Sequence, residues 1–235
     1  MPSPAVYRSP RSSAIAATVM LAVSGAVSLV SLGTSVNLYG EVGTFTTDVD
    51  LRLVDGSAVL DAYALHGNVG TLQVVTLVVS TVTFITWFHR VRVNAEILDP
   101  HGHRLRRGFA IGAWFLPIAN VWIPRQIAGD IWQAGARPDG SGVRPRLPQT
   151  LLTLWWGALL GAPALERIGT VYTNSAEYPD TYQQGVAWLI ASDLVMVAAA
   201  VLAVLVVRRL TATQEQRFAE GATAAYGVHG GTVWG

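Results

Sequence analysis

A single acid, Asp193, interrupts an apolar run that extends from about Gln184 to Val207 and is closed by Arg208-Arg209. A carboxylate at bilayer depth costs a few kcal/mol on insertion scales, so its partners decide what it does. It suits a proton relay, an ion site or a counter-charge for an Arg folded in from a loop. It equally suits a hydrogen-bonded tie between helices, through Gln73 or a Ser of the first apolar run. A second pattern is Gln73, Thr76, Ser80, Thr83, Trp87, Arg90 and Asn94, at alternating spacings of 3 and 4 that put them on one helical face. Between them Val74, Val75, Leu77, Val78, Val79 and Val82 would face lipid or other helices. Ser24, Ser28, Ser31 and Ser35 form a matching small-polar face on the first run, and the two faces are expected to pack together. Either these residues simply pack between helices, or they form a polar seam leading to a site around Trp87, Arg90 and Asn94. His101-Gly102-His103 with His89 offers metal-ligating nitrogens, but Arg104, Arg106 and Arg107 beside them would repel a cation, so a plain turn is expected and no metal ligand is assigned. The chain has no Cys, which excludes disulfides, Cys-based zinc or iron–sulfur sites and a Cys nucleophile. No P-loop, GxGxxG, HExxH or GxSxG arrangement is present, so no catalytic residue and no cofactor is assigned.

These residues must be positioned by apolar helices. Of 235 residues, 51% are apolar and 13% charged, about half the roughly 25% charge of a soluble domain, and all 16 positive side chains are Arg. Four charge-poor stretches reach the roughly 20 residues a helix needs to cross hydrocarbon, about 12–38, 71–88, 147–165 and 184–207. The third holds two adjacent Trp and a Gly157-x-x-x-Gly161 pair that would admit a close helix. The first run is about twice the length of a signal-peptide core, which favours a retained span over a cleaved leader. With four spans, 14 Arg fall in the amino tail, the central loop and the carboxyl tail, against Arg52 and Arg167 on the other side. The positive-inside bias therefore puts both termini and the central loop in the cytoplasm. Residues 108–123 are apolar enough to suggest a fifth crossing, but Pro117 and Asn120 lie inside them and Pro124-Arg125 ends them. A fifth crossing would also split the Arg between the two faces, so this stretch reads as re-entrant or interfacial on the cytoplasmic side.

From Trp87 onward the chain resembles a known pattern. Trp87, Arg90, Asn94 and Leu98 match W-x-x-R-x-x-x-N-x-x-L. Trp114, Phe115, Pro117, Ile118, Asn120, Trp122, Pro124, Gln126, Asp130, Ile131 and Trp132 match W-F-x-P-I-x-N-x-W-x-P-x-Q-x-x-x-D-I-W. These two motifs are similar to those of a bacterial membrane-protein family, common in actinobacteria, catalogued as domain of unknown function 4328. The resemblance covers the second span through the fourth and implies a multi-span membrane domain, with no established substrate, cofactor or catalytic residue. Pro124 is well placed to start a helix over Arg125 to Ala134, with Ile127, Ile131 and Ala134 on its apolar face and Gln126, Asp130 and Gln133 on its polar one. Trp122 and Trp132 would anchor that helix flat on the inner leaflet. Asp130 is expected to meet Arg90, and Asn120 to meet Asn94, in a polar cluster that either scaffolds the segment or, with Arg125, lines a ligand site.

The expected architecture is all-α, an integral membrane four-helix bundle over 12–207 with a cytoplasmic-side re-entrant or interfacial segment at 108–134. A cytoplasmic tail, 1–11, precedes it, and a cytoplasmic tail without fixed structure, 208–235, follows. The leading reading is a structural, regulatory or interaction component of the plasma membrane. A lipid or small-molecule binder or transporter, with a polar site between the second helix and the Trp/Pro-rich segment, is the alternative. An enzyme acting on lipid head groups is third, because no nucleophile and base pair is visible. Expected partners are the lipid bilayer, its anionic head groups near the loop Arg, and a second copy or another membrane protein; no nucleic acid is expected at a net charge of +1.

Overall fold

The computed structural model describes residues 7–45, 57–137 and 140–229. Arg52, counted above on the outer side, lies outside the described residues, as do 230–235 of the carboxyl tail. Among the described residues there is no strand. The elements are α1 (Arg11–Val42), α2 (Ser57–Leu98), α3 (Phe109–Gly112), a 3₁₀ turn (Ala119–Val121), α4 (Ile123–Ala134), α5 (Thr150–Ser175) and α6 (Pro179–His229). Among the described residues three helices are long and apolar enough to cross a membrane: Arg11–Val42, Ala58–Leu98 and Pro179–Gly221. α5 is not among them. Its Trp155-Trp156 pair, internal Pro163 and Glu166-Arg167 dilute the Leu and Ala around them. α5 also starts at Thr150 rather than Leu147, because the Leu147 N–H and C=O both bond to the Gln133 side-chain amide at 2.9 Å.

The chain divides into two compact units. One, the apolar unit, takes Val19–Thr81 and Thr153–Val204; the other, the motif unit, takes the chain up to Thr18, Val82–Leu152 and the chain from Leu205 onward.

In the apolar unit Val74, Val75, Leu77, Val78 and Val79 are all exposed on α2, the outward face expected of them. Ser24, Ser28, Ser31 and Ser35 of α1 are buried, and Ser80 of α2 donates to the Met20 carbonyl at 2.8 Å. The two small-polar faces therefore do meet. Leu38, Val42, Ala62 and Val186 form a core cluster that Val59, Tyr182 and Ile190 cover. A close helix approach is made by glycines other than the expected pair. A methyl on Gly185 would lie 2.8 Å from the Thr173 nitrogen and 3.0 Å from the Gly169 oxygen, so α5 and α6 touch backbone to backbone there. Gly157 faces open space, and Gly161 makes only an ordinary 3.8 Å contact with Val195.

The motif unit is built on aromatic rings. Phe84, Trp87 and Phe88 of α2 are buried, and Trp114 meets Phe84 and Phe88 edge-on at 5.8 and 5.9 Å between centroids. Such T-shaped contacts suit the ring quadrupoles. α4 begins two residues earlier than Arg125 suggests, at Ile123, with Pro124 in its first turn, where a missing N–H costs nothing. Ile127, Ile131 and Ala134 are buried, as their spacing predicts. α6 continues to His229 where the sequence suggests an unstructured tail. The tail is held by specific contacts: Thr211 and Gln214 are buried against α2, Glu215 accepts from Ser9 at 3.1 Å, and Phe218 stacks on Tyr7 at 3.6 Å.

Candidate functional site

Two polar constellations stand out, one in each unit. In the apolar unit Asp193 of α6 is buried and takes three hydrogen bonds. Ser31 and Ser35 donate to Oδ2 at 3.1 and 3.0 Å, and the Gln73 amide donates to Oδ1 at 3.2 Å. The same amide reaches Ser28 at 3.2 Å. One carboxylate thus ties α6 to α1 and α2, with the partners expected of a structural tie. Three donors on one carboxylate offset much of the cost of removing it from water. Ser192, the neighbouring residue, donates to the Ala162 carbonyl at 2.8 Å and adds α5.

Beside Asp193 lies a cavity of about 350 Å³ whose polar wall includes Ser31, His66, Gln73, Glu166 and Asp193. Its size matches that of small-molecule sites. His66 belongs to none of the sequence motifs. Its Nδ1 lies 3.2 Å from Thr34 Oγ1 and 3.4 Å from Ser35 Oγ, which adds it to the Asp193 network. It stands seven residues before Gln73, two helical turns, so extending the polar stripe backward would have reached it. Glu166 reads from sequence only as the charge that ends a span.

In the motif unit the residues separate into two groups. Trp87 is buried and its indole N–H donates to Thr211 at 3.0 Å. Asn94 is buried: its amide donates to the Arg8 carbonyl at 2.9 Å and to Gln214 at 3.3 Å, and its oxygen accepts from the Arg8 N–H at 3.3 Å. Gln214 in turn donates to the Val91 carbonyl at 2.8 Å. Asn94 therefore fastens the amino-terminal segment and α6 to α2; it does not meet Asn120, which is exposed. Arg90 is half-buried and does not meet Asp130. Asp130 is buried and takes a bidentate pair from Arg104 at 3.1 and 2.9 Å, with the Arg104 backbone N–H at 3.3 Å. Arg104 outcompetes Arg90 because it can offer Asp130 its backbone as well as its guanidinium.

Arg125 bonds to Gln149 at 3.0 Å, and Gln126 is exposed. Trp132 is buried under Arg209, whose guanidinium lies 5.3 Å above the ring, so it is a cation–π partner rather than a membrane anchor. Trp122, at 51% exposure, keeps the outward position. The sequence gives no hint of the buried Arg92, which bonds to Glu96 at 2.8 Å and to the Leu105 carbonyl at 2.6 Å, while Arg107 closes on the other Glu96 oxygen. These arginines consume charge that the loop composition assigns to lipid head groups. Among the described residues no three of His, Cys, Asp and Glu gather as a metal cluster.

The two coupled motifs therefore build one folded unit, in which Trp87, Asn94, Trp114, Asp130 and Trp132 are all engaged. The family described as Domain of unknown function (DUF4328) matches residues 50–212, more than half of the chain. The chain belongs to this family. No curated protein and no solved structure matches it. The family match spans both the Asp193 constellation and the Trp/Pro-rich segment, but ends before Gln214.

Proposed function

We propose that this protein is a multi-pass component of the plasma membrane with a structural or interaction role, four spans and cytoplasmic termini. The motif unit acts as its membrane-surface element. The observation that carries this reading is how the second helix meets the Trp/Pro-rich segment. Rings of Phe84, Phe88 and Trp114 and the buried methyls of Ala110 and Ala113 fill that contact, where a ligand site would need room for a solute. What the segment leaves outside is apolar: Phe115 is 71% exposed, Ile118 72% and Trp122 51%.

The chain presents Ile118 at some conformational cost. Its φ of 67° lies in a region that a β-branched residue rarely adopts, and the Ala119 N–H closes a tight γ-turn on the Pro117 carbonyl at 2.6 Å. Strain of this kind persists where the presented side chain has a use. An apolar rim beside Arg-rich flanks suits the inner-leaflet interface, with anionic head groups or a membrane-protein partner as the contact.

The chain has no Cys, so single cysteines report position directly. A spin label on Ile118→Cys in nanodiscs is expected to be relaxed by oxygen, which partitions into lipid. Maleimide should reach Ser141→Cys from the cytoplasm and Ser175→Cys from outside. A label at 118 relaxed mainly by a water-soluble nickel chelate, or 141 and 175 on one side, would overturn the reading.

A further inference from the structure

We infer that the cavity in the apolar unit is a binding site for a primary ammonium carrying an apolar group, with Glu166 and Asp193 as its counter-charges. The cavity wall divides by chemistry. Val74, Leu77, Leu189 and Met196 supply apolar surface, and the polar side carries two carboxyls and one imidazole, with no Arg among the lining residues. Its two acids against one weak base favour a cation over phosphate or carboxylate. A carboxylate offers about four lone-pair positions, and Asp193 has three occupied, by Ser31, Ser35 and Gln73. One acceptor position remains beside a cavity of about 350 Å³. Glu166 is exposed, lines the same space and lies within electrostatic reach of Asp193, so the two acids act on one occupant.

The donor set does not favour a bare metal ion. His66, Glu166 and Asp193 do not converge as a metal cluster, and a hard divalent cation would need six or more oxygens. An alkylammonium needs fewer: three N–H groups find carboxyl and hydroxyl oxygens while its carbon chain covers the Val74, Leu77, Leu189 and Met196 side. This ligand chemistry has two sources, a soluble amine or the head group of an amino lipid. The site is separate from the Trp/Pro-rich segment and does not depend on the role proposed for it.

The test is binding of n-hexylammonium to the full chain in a zwitterionic detergent, by calorimetry and by thermal shift, with 1-hexanol as the uncharged control. A parallel arm compares thermal stability in nanodiscs of phosphatidylcholine with and without phosphatidylethanolamine. Glu166→Gln should weaken binding about tenfold or more, the usual worth of a charge-assisted hydrogen bond, while leaving the Asp193 ties intact. Asp193→Asn, which keeps an acceptor for Ser31 and Ser35, should weaken it further. Saturable binding of hexylammonium but not hexanol assigns a soluble amine. Stabilisation by phosphatidylethanolamine alone, lost in Glu166→Gln, assigns the lipid head group. Hexanol binding as tightly as hexylammonium, indifference to Glu166→Gln, or no response in either arm would overturn the inference.

Discussion

Replacing Asn94 with Leu removes three hydrogen bonds at a fully buried position. The two to Arg8 are net losses of about 0.5–1.5 kcal/mol each, because Arg8 is exposed and its backbone can turn to water. The bond to Gln214 is different: Gln214 is buried, so its side-chain oxygen is left without a donor, at about 1–3 kcal/mol. The expected total is about 4 kcal/mol, from which the added apolar burial of Leu returns about 1. A net loss of about 3 kcal/mol corresponds to about 6–12 °C of melting temperature for a chain of this length. Changing Gln214 to Leu as well removes the orphaned oxygen, and the Val91 carbonyl keeps its bond within α2, so the double variant should lose less than the sum of the singles by at least about 1 kcal/mol. The assay is thermal unfolding of the purified protein in detergent, read by tryptophan fluorescence. An Asn94→Leu shift under about 2 °C, or additive single and double variants, would refute the network argument.

Other perturbations have equally defined outcomes. Gly185→Ala puts a methyl 2.6–3.0 Å from Thr173 and Gly169, mostly against backbone, so α5 and α6 must separate; a loss of about 1–3 kcal/mol is expected in the same assay, against little effect for Gly157→Ala. Ile118→Gly relieves about 1–3 kcal/mol of strain and gives back about 0.5–1 in chain entropy, so a slight rise in melting temperature should accompany weaker membrane contact at that turn. Burial holds the His103 imidazole below its ordinary value, helped by the Arg92 charge and opposed by the Ala95 backbone, Asp130 and Glu96. The unfolded chain therefore takes up a proton first as pH falls. The His103 contribution is intact above about pH 6.5 and is lost as pH drops through the depressed folded value, so His103→Gln should flatten the fall of melting temperature as pH drops below about 6.5.

The parts of this fold that follow from periodicity are legible in the sequence. The Ser face of α1, the outward valines of α2 and the buried Ile127, Ile131 and Ala134 face of α4 follow from spacings of 3 and 4 along single helices, and the Asp193 tie to Gln73 and two serines joins faces of that kind. What periodicity does not convey is which of several candidates wins a partner across the fold. Fourteen arginines assigned to one side look interchangeable, yet Arg104 presents both backbone and guanidinium to Asp130, and Arg209 lies over Trp132. The Gly169 and Gly185 contact is hidden for the same reason: the glycines lie on different helices, and neither forms the spaced pair that marks Gly157 and Gly161. The ordered end of α6 is hidden by composition, since Gly, Ala and Thr after Gln214 mask the few residues, Thr211, Gln214 and Phe218, that fasten it.

The motif unit is assembled from the chain's start, its middle and its last long helix. Asn94 and Gln214 are 120 residues apart, and at about 5–20 residues per second Asn94 waits about 6–24 s for its partner during synthesis. Asp193 meets the reverse situation: Ser31, 162 positions earlier, has been made long before the acid arrives. The buried amide of α2 must therefore be kept from competing partners while the ribosome completes α6, and a truncation that stops between residues 208 and 213 should be cleared by quality control even though all four charge-poor stretches are already made.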